Sequence, residues 1–457
     1  MSAETTTGAG NTAVITPAGS RAAITDWRPE DAAFWEREGA RTARRNLTLS
    51  IFAEHLGFSV WSLWSVFVLF LGPAYHIDAA GKFFLTMVPT IVGSVLRLPY
   101  TFAVARFGGR NWTVFSASLL LVPSILAAVV LKPGVSYSTL MIIAAVAGVG
   151  GGNFASSMAN INAFYPERLK GAALGLNAGG GNVGVAVVQL LGLLVLATAG
   201  VAHPRLLLAV YIPLVVVAAL LAALFMNNLT QLRNDKRGMR DATKDAHTWV
   251  MSLLYIGTFG SFIGYSFAFG QVLQVQFAQT PRHAADLVWL GPLLGSLIRP
   301  VGGALADRVG GAKVTFWNFV AMAACAGLVL AASQGKSLPL FVTGFVLLFA
   351  FSGIGNGSTY KMIPAIFRAK SQRAVAAGAD PAEAQREARR LAGALIGIAA
   401  ATGAFGGALV NFAFRESFLT YKSGNAAYIG FIAFYGLCFA VTWAVYLRPG
   451  PRRLAGV

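Results

Sequence analysis

Arg97 stands inside an apolar run, IVGSVLRLPYTFAVARFGGRNWT (residues 91–113), with no acid on that segment to neutralise it. The arrangement returns 202 positions later in LGSLIRPVGGALADRVGGAKVT, which places Arg299 opposite Arg97. Gly93/Gly295, Ser94/Ser296, Gly108/Gly310, Gly109/Gly311 and Thr113/Thr315 match in the same gap-free register. A guanidinium does not shed its proton in a protein, so its charge must be met by another group. A cation at mid-bilayer depth faces a bundle interior or a cavity. The chain is therefore expected to be a duplicated membrane protein with one intramembrane arginine per half. Two readings follow: the arginines share an anion at the interface of the halves, or each pairs with carbonyls or a neighbouring acid.

Composition supports the membrane assignment. The chain is 56% hydrophobic and 12% charged, with mean hydropathy +0.63, which excludes an ordinary water-soluble enzyme. Apolar runs near the length needed to cross a hydrocarbon core recur along it. We place twelve, at 47–73, 83–105, 111–131, 137–165, 171–199, 205–226, 248–276, 284–306, 312–333, 338–367, 391–414 and 425–446. This predicts an all-α polytopic protein built as two pseudo-symmetric six-helix bundles, 47–226 and 248–446. A polar linker, 227–247, joins the bundles, and tails 1–46 and 447–457 flank them. The net charge of +18 comes from lysines and arginines concentrated in the tails and in alternate loops. Under the positive-inside rule that distribution puts both termini in the cytoplasm, and it points away from nucleic acid as a partner. No cleavable signal peptide is expected. Residues 1–25 have a disordered composition. The segment 26–45, with Trp27, Phe34 and Trp35 among charges, reads as a helix lying on the membrane surface or as a solvated tail. Cys325 and Cys438 lie in separate spans without metal-ligand neighbours and read as packing residues, so neither a metal nor a cofactor is expected.

Several further residues are candidates for chemistry. Glu54 and His55 are titratable groups within the first span, where they serve as a fixed ion pair, a proton carrier or mouth-exposed groups. The stripe Trp61, Trp64 and Phe67 reads as packing or lipid contact. In span 5, GAALGLNAGGGNVGVAVVQL, Gly171, Gly175 and Gly179 recur every fourth residue, as do Gly180 and Gly184. That pattern predicts close helix approach. Span 11 repeats the scaffold at Gly397, Gly403 and Gly406, but alanines stand where span 5 has Asn177 and Asn182. Lys361, beside Tyr360, is a third intramembrane cation and sits at a cavity mouth or snorkels to the surface.

Two six-span halves, a long central loop and paired midplane charges describe an alternating-access transporter. The loop GGALADRVGGAK, with Asp307, Arg308, Gly310 and Lys313, resembles the signature of the major facilitator superfamily, although Ala105 replaces the acid in the first-half copy. GGNFASSMANINAFYP and GAALGLNAGGGNVG, with the glycine-rich span 11, resemble the signature motifs of the NarK-type nitrate/nitrite porters. The resemblance covers residues 46–446. It implies a bacterial inner-membrane carrier in which Arg97 and Arg299 hold nitrate or nitrite, Phe154, Tyr255 and Phe259 enclose it, and Asn177 or Asn182 orients it. The family includes proton symport and nitrate/nitrite exchange, and the Glu54–His55 pair favours the proton-coupled mode. A porter for another small anion is the remaining alternative. A single chain contains both arginines, so a functional monomer is expected.

Overall fold

The structure, a computed structural model, describes residues 23–232, 235–450, 454, 456 and 457. Twelve helices are long and apolar enough to cross a membrane: α1 Ala32–Phe70, α2 Ala79–Phe107, α3 Gly109–Val130, α4 Tyr137–Phe164, α5 Glu167–Thr198 and α6 Leu206–Phe225 in the first half; α7 Ala246–Phe277, α8 Pro281–Val309, α9 Gly311–Gln334, α10 Leu338–Ala376, α11 Pro381–Tyr421 and α12 Asn425–Leu447 in the second. The elements begin where capping residues meet apolar runs. The Asp78 side chain accepts from Gly81 N at the start of α2, Ser136 accepts from Thr139 N at α4, and Thr280 precedes Pro281 at α8.

The duplication read in the sequence is also a duplication of shape. Gly108 ends α2 with φ 88°, and its counterpart Gly310 ends α8 with φ 95°. At both positions the chain turns into the next span through backbone that glycine alone adopts freely. Helices α2 with α11, and α5 with α8, pack across the two halves as a pseudo-symmetric set. Helices α1 and α7 are the most enclosed of the twelve, whereas α3 and α12 are largely peripheral.

Because each half contains an even number of spans, both ends of the chain and the central linker lie on one face, here termed the terminal face. On the opposite face the halves are tightly closed. Phe83 of α2 stacks on Phe414 and Phe418 of α11, with centroids 5.7 and 5.4 Å apart. Thr86 Oγ1 donates to Asn411 Oδ1 at 2.9 Å, and Gln271 Nε2 donates to Ala79 O at 2.6 Å. Deeper in, Gln189 Nε2 donates to Ser266 O at 2.8 Å. Toward the terminal face the interface is loose: positions where a side chain on Gly171, Gly175 or Gly179 of α5 would point have no neighbour within 4 Å.

The described part of the N-terminal segment neither lies along a membrane surface nor stands free. Trp27, Phe34 and Trp35 are buried against Phe164 and Leu229. Ala23–Ile24 pairs in parallel with Asn228–Leu229, Trp27 Nε1 donates to Phe164 O, and the Glu30 carboxylate accepts from Glu167 N at the first residue of α5. Three aromatic side chains that would otherwise meet water find an apolar cluster formed by the α4–α5 hairpin and the linker. The remaining residues assigned to a disordered tail, 1–22, lie outside the described residues. The linker is also more ordered than a plain polar connection. Its helix Lys236–Lys244 docks on α11, where Arg390 donates to Asp241 at 2.7 Å, and that guanidinium holds the Asp241 carboxyl below the usual carboxylate range. The basic excursion after span 10 consists of continuations of α10 and α11.

Candidate anion site between the halves

Arg97 and Arg299 come together in the middle of the protein. Both are buried, and each interacts electrostatically with the other and with Glu54. Among the described residues neither guanidinium is within salt-bridge distance of a carboxylate. Arg97 spends two of its nitrogens on backbone: Nε donates to Gly151 O at 3.1 Å, and Nη1 donates across the interface to Ala400 O at 2.7 Å. Arg299 Nη2 donates to the Tyr255 hydroxyl at 3.3 Å, within its own half. This leaves Arg97 Nη2 and Arg299 Nη1 buried without partners. A buried guanidinium nitrogen with no acceptor is costly, so two of them in one place mark where an anion belongs.

Aromatic rings surround these atoms. The Arg97 guanidinium carbon lies 4.6 Å from the Phe154 ring centroid, 5.1 Å from Phe259 and 5.5 Å from Trp61. Phe154 and Phe259 face one another across the halves at 6.1 Å, and Tyr255 stacks on Phe259 at 5.2 Å. A π-turn at Ile256–Gly260 carries this pair on α7, and Gly403 of α11 gives Tyr255 the space its ring occupies. Gly406 meets Gly260 backbone to backbone in the same way. Tyr360 lies under Arg299, with the guanidinium carbon 5.5 Å from its centroid, and its hydroxyl is buried without a partner.

The two asparagines of α5 separate. Gly175, Gly179, Asn182, Ala186 and Gln189 form one stripe at helical spacing, and Gln189 crosses to the other half. Asn182 is therefore on the interface side, buried, with both amide atoms unpartnered. Asn177 lies on the flank with Gly181 and Gly184, against α1. Its Nδ2 donates to Glu54 Oε2 at 2.6 Å and to Ser157 Oγ at 2.6 Å. Gly184 packs on the His55 carbonyl, whereas Gly171, Gly175 and Gly179 lack the close helix partner expected of them in this conformation because they face the parted side. Gly397 is only loosely met, by Met239 at 3.6 Å.

His55 points away from Glu54, with Nδ1 3.2 Å from Gly180 O, beside a lateral groove lined by Phe52, Leu191 and Tyr211. Lys361 is half-exposed and bonded to Asp307, at 2.7 Å, near the terminal face. Sequence reasoning missed the role of Trp61, which it placed in a packing stripe. It also missed the cross-half pairs Thr86–Asn411 and Gln189–Ser266. Polar side chains in the middle of apolar spans were the available signal.

The model of the Major Facilitator Superfamily matches residues 47–410. The nitrate/nitrite transporter NarU of Salmonella typhimurium is 39% identical over 455 residues, covering 95% of this chain and 98% of that protein. This chain belongs to the NarK-type branch of the major facilitator superfamily. A probable nitrate/nitrite antiporter, NarK2 of Thermus thermophilus, is 33% identical over 458 residues, covering 94% of this NarK-type chain and 98% of its own. Among solved structures, a bacterial homologue of the human lysosomal transporter Spinster superposes with TM-score 0.63 at 16% identity, covering 88% of this chain and 96% of that one. The nucleoside transporter NupG superposes with TM-score 0.60 at 12% identity, covering 87% and 99%. At such identities they share the fold alone. The family is one of transporters, and this member is a multi-pass membrane protein.

Proposed function

We propose that this chain carries nitrate and nitrite across the bacterial cytoplasmic membrane by alternating access, as a monomer with both termini inside, and takes a proton with the anion. The observation that carries the reading is the pair of unpartnered guanidinium nitrogens, one from each half, enclosed by Phe154, Phe259 and Tyr255. A flat, weakly hydrated monoanion suits both parts of that site: planar guanidinium groups donate to its oxygens, and the rings cover its faces. Asn182, on the interface stripe, supplies amide groups that orient the oxygens. Relatives named as nitrate/nitrite transporters and antiporters support the same substrate.

Charge supports the proton. Without anion, two arginines and an ionised Glu54 leave one positive charge between the halves. With a monoanion bound and Glu54 protonated, the charge is again a single positive one. The carboxylate thus stands in for the missing anion, and the carrier crosses in both states without a change in the charge it buries. Exchange of nitrate for nitrite uses the same site and needs no titration. It is the second reading, favoured by the permanence of both arginine charges.

Proteoliposomes that contain no nitrite and receive only an inward proton gradient distinguish the two readings. Gradient-driven nitrate accumulation is expected, and Glu54→Gln abolishes it while nitrate/nitrite counterflow persists. Uptake that requires internal nitrite in the unaltered protein leaves exchange as the mechanism.

A further inference from the structure

Asn177 has the residue type expected of an anion ligand, yet its contacts belong to another task. Its Nδ2 divides its hydrogens between Glu54 Oε2 and Ser157 Oγ, both at 2.6 Å, and Ser157 Oγ is in turn 2.9 Å from Ser50 Oγ. All four residues are buried, and they come from α1, α4 and α5 of the first half. Gly181 makes the arrangement possible, since a side chain there would collide with the Glu54 carboxyl. At the same time Asn177 Oδ1 and Glu54 Oε1 have no partners.

An amide is a donor at one atom and an acceptor at the other, with nearly the same shape in either orientation. As an Nδ2 donor, Asn177 fits an ionised Glu54. When Glu54 takes a proton on Oε2, that oxygen becomes a donor, and a donor facing Nδ2 is repelled. Half a turn of the amide brings Oδ1 to the same place, where it accepts from the Glu54 hydroxyl. Ser157 then changes from acceptor to donor toward Oδ1, and Ser50 is left to satisfy the other side of the Ser157 hydroxyl. Every heavy atom of the cluster keeps its place.

We propose that Asn177 is a positioning residue for the Glu54 carboxyl, reversing its amide as that carboxyl gains and loses its proton, and that it does not bind the transported anion. The proposal rests on the reading that Glu54 carries the coupling proton. The groups facing Glu54 are Asn177 of α5, Ser157 of α4, Arg97 of α2, Arg299 of α8 and Tyr360 of α10. The arginines fix the charge of the surroundings, while Asn177 and Ser157 respond to the proton.

The test compares Asn177→Leu, Ser157→Ala and Ser157→Thr in proteoliposomes. Losing a donor to the ionised carboxylate favours its protonated form, so the pH of half-maximal gradient-driven uptake in Asn177→Leu is expected to move alkaline by about one unit. The KM for nitrate in counterflow stays within about twofold, as a residue that does not touch the anion requires. Ser157→Ala moves the pH profile in the same direction by less, and Ser157→Thr restores it, which keeps the test open should Asn177→Leu fail to fold. A tenfold rise in KM with the pH profile in place would make Asn177 an anion ligand and overturn the proposal. An unchanged pH profile in Asn177→Leu and Ser157→Ala overturns it as well. Glu54→Gln separates the two levels: if that variant still accumulates nitrate on a proton gradient, the underlying coupling assignment has failed. If it does not, and the profiles of Asn177→Leu and Ser157→Ala are unmoved, only the role given to Asn177 has.

Discussion

Replacing Arg97 by lysine keeps the charge and removes the fork, and the structure says what that removes. Arg97 works in three directions: Nε to Gly151 O, Nη1 to Ala400 O in the other half, and Nη2 toward the space shared with Arg299. A lysine ends in one nitrogen whose three hydrogens diverge from a point, so it cannot reach both carbonyls and the anion together. Hydrogen bonds to charged groups are worth about 1.5–3 kcal/mol each. The loss of two therefore costs about 3–6 kcal/mol, or roughly a hundred- to ten-thousand-fold in anion affinity. Calorimetric titration of nitrate into detergent-solubilised protein reads this directly, and counterflow KM in proteoliposomes reads it under turnover. Insertion and a monodisperse profile on size exclusion should be preserved, because the charge and most of the burial remain. An Arg97→Lys protein with a nitrate KM within threefold of the unaltered protein would refute the claim that the free guanidinium nitrogen receives the anion.

Two perturbations should bias the carrier in opposite directions. Phe83→Ala removes a ring stacked between Phe414 and Phe418 at the closed face; burial of that size is worth about 3–5 kcal/mol, and it is present only while that face is shut. Spin-label distances across the opposite face should lengthen in Phe83→Ala, and an unchanged distance distribution would remove these rings from the gate. Gly175→Val adds bulk where nothing now lies within 4 Å, so the conformation described here accepts it. The closed terminal face should not, and distances there are expected to remain long with nitrate added while counterflow falls at least tenfold; normal counterflow would place Gly175 outside the closing interface.

The depth of the arginines was legible because a hydrophobic run of known length locates a charge within it, and because the duplication gave an independent register. Which nitrogens remain free was not, since that depends on the carbonyls of Gly151 and Ala400, and a backbone acceptor leaves no mark in the sequence. The division of labour between Asn177 and Asn182 was present in the spacing. Asn182 continues the Gly175–Gly179 stripe, and Asn177 shares its flank with Gly181 and Gly184, but the orientation of that stripe is fixed only by neighbours such as Glu54 and Gln189. Trp61 has the spacing of any packing residue, and its place under Arg97 requires α1 and α2 to be set side by side. The same limit governs Trp27, Phe34 and Trp35: aromatic side chains among charges suit a membrane surface equally well, and what decides is Phe164 and Leu229, both more than a hundred residues away.

Duplication delivers two arginines to equal depth without anchoring them equally. Arg97 holds a carbonyl of each half, Gly151 O and Ala400 O, and so is already part of the interface before an anion arrives. Arg299 holds only Tyr255 of its own half, through a single 3.3 Å hydrogen bond. An anion shared by Arg97 Nη2 and Arg299 Nη1 therefore adds its cross-half contact mainly on the Arg299 side, where the structure is least committed. Because Tyr255 stacks on Phe259, and Phe259 faces both Phe154 and Arg97, a displacement of Arg299 is transmitted through rings that already span the gap. The bare stripe of Gly175 and Gly179 lies on the parted side of that same interface, with room for α5 and α8 to approach. Symmetry of sequence places the charges, and the asymmetry of their anchors gives the second half the freedom to close on the anion.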